Sequence, residues 1–290
     1  MHPAPSVILF SVLSGLGFGL LAYLGFGVIT PMGWIAFWWW GLGYALAVVG
    51  LLAATFHLGN PQRALLAFSQ WRSSWLSREG WASVLSLVCL APIALSDWLG
   101  LGIPRGFGAV GACLALITVF TTSMIYTQIK AVPRWNHWIN PVMFLTFAVV
   151  GGGLLAGQIY VRWLMIAVGL ALFWAWRLGD VQFSQRAQTM GTATGLDRIG
   201  DVTVFEQAHT AGNYLLSEMI YVVGRKHAQK LRIIAMLCAA VLPAVILFTL
   251  PATVWAFALA AVVHLLGALT ARWLFFAEAE HVVGLYYGRR

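Results

Sequence analysis

Apolar runs of about 20 residues recur along almost the whole chain, and they restrict its fold more than any other feature. A helix rises about 1.5 Å per residue, so such a run crosses the roughly 30 Å hydrocarbon core of a bilayer. Of the 290 residues, 61% are hydrophobic and 9% are charged, whereas soluble domains carry roughly 25% charged residues. The chain is therefore expected to be an integral membrane protein.

We predict an all-α, polytopic bundle of eight transmembrane helices. Lipid offers no partner to an unsatisfied backbone group, and no segment alternates with the period of two that a membrane β-barrel requires. The predicted spans are 6–30, 35–58, 80–98, 104–129, 139–157, 160–177, 230–250 and 253–276. Together they form a single membrane-anchor domain, 1–290, and residues 178–229 form a long loop that we expect to dock partner subunits.

The distribution of positive charge predicts the orientation of the bundle. An even number of spans places both termini on one side, and of 17 Lys and Arg residues only Arg105 and Arg162 fall on the other. Because cationic loops stay in the cytoplasm, both termini are predicted to be cytoplasmic. The net charge of +8 then reflects orientation and contact with anionic membrane lipids, so no nucleic-acid partner is expected.

Residues 55–81, "TFHLGNPQRALLAFSQWRSSWLSREGW", place one histidine, three arginines and three tryptophans between two apolar runs. His57 is predicted in the last turn of the second span, and Gly59 marks the end of that helix. Asn60 is predicted to cap a short interfacial helix that reaches about residue 70. Ser77 and Glu79 are predicted in the first turn of the third span.

A histidine at this depth has a chemical use. A lipid-soluble quinone that takes up two electrons also takes up two protons, and imidazole can exchange a proton at cellular pH. The alternative is that His57 only caps the last carbonyls of its helix.

Further polar and aromatic residues on the same side complete a candidate quinone pocket around His57. Tyr126 and Lys130 close the fourth span, and Trp135 follows in "KAVPRWNHW". These residues could bind a quinone head group, or they could be ordinary interfacial anchors. The predicted pocket consists of His57, Gly59, Arg63, Trp71, Tyr126, Lys130 and Trp135.

Metal and haem sites have weak support. The three cysteines, Cys89, Cys113 and Cys238, are isolated within apolar spans, so the chain offers no four-cysteine iron–sulfur motif. Haem b would need two buried histidines at matching depth, and only His57 and His264 are candidates. We therefore expect no metal and no haem. After the last span, Glu278 and its neighbours are expected at a solvated helix end, with a proton entry point as the alternative.

Three segments resemble a known family. "HLGNPQRALLAFSQWRSSWLSRE", "SMIYTQIKAVPRWN" and "ATGLDRIGDVTVFEQAHTAGNYLLSEMIYVVGRKHA" are similar to the membrane-anchor subunits of dimethyl sulfoxide reductases. Within that family the chain looks most like the branch that anchors sulfite dehydrogenases, and the likeness covers nearly the whole chain.

The resemblance implies a bacterial inner-membrane complex of three subunits. A molybdopterin subunit and a ferredoxin-like subunit with four iron–sulfur clusters would dock on the cytoplasmic face, and this chain would exchange electrons with ubiquinone or menaquinone at the histidine of the HLG motif, His57. The predicted orientation favours sulfite oxidation. An anchor of a dimethyl sulfoxide or polysulfide reductase that oxidises quinol remains an alternative, as does a passive scaffold whose iron–sulfur partner shares the quinone site.

Overall fold

The structure is a computed structural model that describes residues 1–56, 59–187, 189–206, 214–220 and 223–287. Its described part is helical and contains no β-strand, which confirms the all-α prediction. The longer helices are α1 (Pro5–Gly25), α2 (Gly33–Thr55), α3 (Trp75–Leu99), α4 (Gly106–Thr127), α5 (Ile139–Leu155) and α6 (Val161–Gln185). They are followed by the short α7 (Met190–Thr194), then by α8 (Ala228–Met236), α9 (Leu242–Thr249) and α10 (Val254–Ala277).

Seven of the described helices are long and apolar enough to cross a membrane, and they include the continuous segment Arg225–Thr249, which contains α8 and α9. Helix α5 is apolar but has only 17 residues. Met1 and the end of α10 lie at one end of the bundle, because the Met1 amino group donates to the carbonyl of Ala279 over 2.7 Å. We call this end the terminal face.

Several predicted boundaries differ from the structure. Helix α6 continues to Gln185, so the first residues of the predicted loop 178–229 extend that helix. Residues Pro61–Phe68 form a 3₁₀ helix, and the Asn60 side chain does not cap it. Helix α3 begins at Trp75, where the Ser74 hydroxyl caps the amide of Ser77 over 3.4 Å. The predicted start of this span at residue 80 was therefore about one turn too late. Ser77 lies in the first turn of α3, as predicted, whereas Glu79 lies in the second.

Helix α1 is the centre of the bundle and packs against α2, α4, α5 and α10. Small residues allow this close approach, as expected where lipid supplies no hydrophobic force between helices. A Cβ atom added to Gly19 would lie 1.9 Å from the Ala148 carbonyl oxygen on α5, and one added to Gly152 would lie 2.3 Å from the Gly19 carbonyl carbon. The backbones of α1 and α5 are thus in direct contact.

A proline explains the turn between α8 and α9. Residues Leu237–Val241 form a π turn just before Pro243. Proline has no amide hydrogen, so the carbonyl of Ala239, four residues earlier, lacks its usual α-helical donor. His264 of α10 lies with Nδ1 2.7 Å from that oxygen. The histidine thus satisfies a backbone acceptor that the proline left open.

A network of four charged side chains ties several helices together at the terminal face. Arg134 donates to Asp180 over 2.6 Å, and Arg232 donates to Asp180 over 2.6 Å and to Glu278 over 2.7 Å. Glu278 is only 5% exposed. The expectation that Glu278 lies at a solvated helix end was therefore wrong, because two arginines from other elements cover it.

Candidate functional site

A large cavity opens at the terminal face, where α1, α2 and α10 meet the 3₁₀ helix. Its volume is about 490 Å³, within the range of pockets that hold small organic ligands. We call it the terminal-face cavity. Its wall consists of Met1, His2, Ala4, Val7, Phe10, Ala54, Thr55, Ala64, Ala67, Phe68, Leu76, Ile125, Tyr126, Trp135, Tyr214, Glu218, Met219 and Phe276.

Most of this wall is apolar, and the ends of several helices together with the segments between them contribute to it. Because α2 and α4 end at the terminal face whereas α1 and α3 begin there, their terminal turns surround one space. The amphipathic 3₁₀ helix adds Ala64, Ala67 and Phe68 to the wall, while Leu65 and Leu66 are exposed. Such a lining suits a flat, lipid-soluble molecule rather than a charged metabolite.

Tyr126 and Trp135, two of the predicted pocket residues, lie together in this wall. Their ring centres are 5.4 Å apart in an edge-to-face arrangement, and both side chains are buried. Trp135 is fixed by a hydrogen bond of 2.9 Å from its indole N–H to the carbonyl of Phe275. The Tyr126 hydroxyl, by contrast, donates no hydrogen bond to any described residue. It can therefore donate to a bound ligand without breaking an existing bond.

Glu79 is a further candidate residue that the sequence interpretation missed. It is 3% exposed, and its carboxylate accepts a hydrogen bond from Thr122 of α4. Glu79 lies one helical turn deeper in the bundle than the wall residue Leu76, and Thr122 lies one turn deeper than the wall residue Tyr126. The hydrogen-bonded pair of Glu79 and Thr122 therefore lies directly beneath the cavity wall. No described cationic side chain lies within 4.0 Å of this carboxylate.

Buried carboxyl groups in membrane helices are costly and commonly mark sites of proton exchange. The signal in the sequence was a lone acidic residue at the start of an apolar run, beside Arg78. Placing the helix start too late made Glu79 resemble an ordinary residue of the first turn.

The rim of the cavity carries polar groups from the first residues of the chain. His2 donates its backbone amide to the carbonyl of Glu218 over 2.7 Å, and their side chains approach to 3.9 Å. Burial, together with Arg225, lowers the pKa of the Met1 amino group to about 5. This amino group is therefore mostly neutral at pH 7, and it adds a polar contact to a wall that is otherwise apolar.

The structure separates the other predicted pocket residues from Tyr126 and Trp135. Gly59, Arg63 and Lys130 are exposed and line no part of the cavity. Trp71 lies in a second, outward-facing groove of about 480 Å³ with Arg78 and Trp81. His57 lies outside the described residues. It follows the wall residue Thr55 by two positions in the sequence.

His264, the other candidate haem ligand, lies in a space too small for haem. Its Nε2 atom is buried without a hydrogen-bond partner among the described residues. That atom faces a chamber of about 20 Å³, which holds about one water molecule. A Cβ atom added to Gly151 would lie only 3.3 Å from it. The described residues also contain no group of three or more His, Cys, Asp or Glu side chains arranged for a metal ion.

Comparison with known proteins places these observations in a family. Residues 2–167 match the model of the DMSO reductase anchor subunit (DmsC). The chain is 28% identical to the C subunit of the sulfite dehydrogenase of Allochromatium vinosum, over 99% of each protein. It is 27% identical to the C subunit of the anaerobic dimethyl sulfoxide reductase of Escherichia coli, over 47% of this protein and 46% of that one. No solved structure matches the sequence.

The matched segment 2–167 contains α1 to α5 and most of the terminal-face cavity wall. It covers more than half of the chain, and the similarity to the Allochromatium protein continues to both ends. The resemblance that the sequence motifs indicate is thereby confirmed: the chain belongs to the DMSO reductase anchor subunit family.

Proposed function

We propose that this chain is the quinone-reactive membrane anchor of a sulfite dehydrogenase complex, and that quinone binds in the terminal-face cavity. The observation that carries the proposal is the cavity itself. It is mostly apolar, about 490 Å³ in volume, and it is lined by Tyr126, with a buried carboxyl group, Glu79, one turn below the wall.

The cavity suits a quinone ring for two reasons. Its apolar wall, with Phe68 and Phe276, can pack on the faces of a flat ring. The Tyr126 hydroxyl can donate a hydrogen bond to a carbonyl oxygen of the ring and strengthen that bond as negative charge develops during reduction. Residues that only anchored the protein at the interface would not need an unpaired hydroxyl on a buried tyrosine of a cavity wall.

Proton supply is assigned to Glu79 and His57. Reduction of a quinone consumes two electrons and two protons and gives the quinol. Glu79 is linked to α4 by its hydrogen bond with Thr122, one turn below the cavity. His57, two positions after the wall residue Thr55 in the sequence, is the second proton donor. Each donor is replenished from water at the terminal face.

Eight spans with the terminal face in the cytoplasm complete the proposal. Helix α5, with 17 residues, is the eighth span because it packs between longer apolar helices. Arg105 and Arg162 lie at the opposite end of the bundle, after α3 and at the start of α6, and the other Lys and Arg residues follow the positive-inside rule.

The terminal face then docks an iron–sulfur subunit and a molybdopterin subunit. A relative with full-length coverage is a sulfite dehydrogenase subunit, so sulfite is the proposed electron donor. Sulfite and water give sulfate, two protons and two electrons at the molybdenum centre of the partner, and the electrons reduce the quinone. Segments 189–206 and 214–220, the second of which contributes Tyr214, Glu218 and Met219 to the cavity wall, are the proposed docking surface on this chain.

The test uses the assembled complex in lipid. Tyr126→Phe and Glu79→Gln are each expected to reduce sulfite-dependent quinone reduction at least tenfold, while turnover with soluble ferricyanide stays near the wild-type rate. His57→Ala is expected to behave in the same way. Tyr160→Phe, at the exposed opposite face, is the matched control for the tyrosine. Unchanged quinone kinetics in both the Tyr126 and the Glu79 variant would move the quinone site out of this cavity.

A further inference from the structure

Arg272 carries a positive charge inside the bundle, one to two turns below the terminal face on α10. Its side chain is 6% exposed, and a guanidinium group stays protonated in proteins. Its Nε and Nη1 atoms are buried without a hydrogen-bond partner among the described residues. No described carboxylate forms an ion pair with it. A buried charge without a counter-ion is destabilising, so its retention in a membrane helix indicates a function.

The position of Arg272 relative to the terminal-face cavity follows from the aromatic rings. Its Cζ atom lies 3.5 Å from the ring centre of Phe144 and 5.4 Å from that of Phe275. The Tyr126 ring centre is 5.9 Å from that of Phe144. Since these distances share the Phe144 centre, Arg272 lies no farther from Tyr126 than the sum of 3.5 Å and 5.9 Å. The charge therefore sits directly behind the cavity wall.

The space around Arg272 offers no other negative partner among the described residues. Arg272 and His264 line the same chamber of about 20 Å³ between α1, α5 and α10, which has room for about one water molecule. His264 presents an unpartnered Nε2 atom to it. Because Nδ1 faces the Ala239 carbonyl and must carry the proton of the neutral ring, Nε2 is a hydrogen-bond acceptor and disfavours an anion. The chamber can hydrate the guanidinium but cannot neutralise it.

We propose that Arg272 stabilises negative charge on a quinone bound in the terminal-face cavity, acting through the wall that Tyr126 and Phe276 form. This inference rests on the proposed function. When two electrons and one proton have reached the quinone, its head group is an anion, and the second proton then gives the neutral quinol. A fixed positive charge behind a low-dielectric wall lowers the free energy of that anion.

Arg272 does not contact the quinone in this proposal. It acts on the bound quinone through the electric field of its charge, and it donates no proton. It approaches Tyr126 from α10, whereas Glu79 reaches the cavity wall from α3. An ionised Glu79 opposes an anionic ligand, and Arg272 offsets that repulsion. Arg272 also lies outside residues 2–167, the segment that matches the family model.

The test measures binding rather than turnover, with the full chain in lipid nanodiscs. The probes are 2-hydroxy-1,4-naphthoquinone, which is anionic at neutral pH, and 2-methoxy-1,4-naphthoquinone, which has a similar shape and no charge. Binding is followed by quenching of tryptophan fluorescence, since Trp135 lies in the cavity wall. Arg272→Gln is expected to weaken binding of the anionic probe by about tenfold and to leave the neutral probe within about twofold.

Two further variants and the pattern of outcomes make the test decisive. Arg272→Lys keeps the charge and is expected to restore most of the affinity for the anionic probe. Arg177→Gln removes an arginine from an exposed position on α6 and is the matched control. Equal loss of both probes in Arg272→Gln, or no loss of either, would overturn the role of Arg272. Failure of the wild-type chain to bind either probe would instead overturn the quinone site in this cavity.

Discussion

Close packing of α1 against α5 leads to a prediction whose size follows from the structure. A Cβ atom at Gly19 would lie 1.9 Å from the Ala148 carbonyl oxygen and 3.2 Å from the Gly152 Cα atom. Both contacts are with backbone, which cannot rotate away as a side chain could. Gly19→Ala must therefore push two helices apart at the centre of the bundle, and we expect a loss of about 3 kcal/mol, the upper end of typical overpacking costs.

Gly15→Ala is the matched control, because Gly15 lies one turn earlier on the same helix and an added Cβ there meets no atom within 4 Å. Alanine is favoured over glycine within a helix by about 1 kcal/mol. Gly15→Ala is thus expected to be neutral or stabilising, and the two variants should differ by about 4 kcal/mol.

The assay is thermal unfolding of the purified chain in detergent, followed by a thiol-reactive dye. Cys89 and Cys238 are half-buried, and no cysteine forms a disulfide, so both thiols react faster when the bundle opens. Gly19→Ala is expected to lower the unfolding midpoint by on the order of 6 °C. Equal midpoints for the two variants would refute the argument that α1 and α5 are in backbone contact.

Two further predictions concern the terminal face. Glu278→Gln should destabilise the chain by about 3 kcal/mol, because it removes a buried partner of Arg232. Glu280→Gln, at a half-exposed ion pair, should cost less than about 1 kcal/mol. Similar losses of stability for the two variants in thermal unfolding would contradict this difference in burial. Burial, and then Arg186, lowers the pKa of His137, whose Nδ1 accepts the amide of Ile139 over 3.1 Å. The unfolded chain therefore binds more protons below about pH 6.5, and stability should fall there as the pH decreases. His137→Asn should flatten this dependence, and an unchanged pH profile of unfolding would exclude His137 as its source.

Two residues of the candidate site could be predicted from local sequence. Tyr126 and Trp135 carry aromatic rings at the end of one apolar run and the start of the next loop, and positions at one end of a bundle are forced to the same membrane depth. The sequence could not tell which residues of that depth meet around one space. Arg63 and Lys130 share the depth of Tyr126, yet they lie outside the cavity, because side-chain direction depends on how each helix is rotated within the bundle.

Buried charges were the least predictable feature. In the sequence, Glu79, Arg272 and Glu278 each resemble residues of a helix end, where charge is usually solvated. Their burial depends on partners far along the chain: Thr122 for Glu79, the rings of Phe144 and Phe275 for Arg272, and two arginines for Glu278.

The sequence by itself determined that this chain is a helical membrane protein, since the thickness and low dielectric of the bilayer set the length and polarity of each apolar run locally. Its motifs also indicated the family. Only the tertiary structure decided where the cavity lies, which tyrosine lines it and which charged residues lie behind its wall. These features depend on the rotation and spacing of helices, and contacts such as Gly19 with Ala148 fix them between residues far apart in the chain.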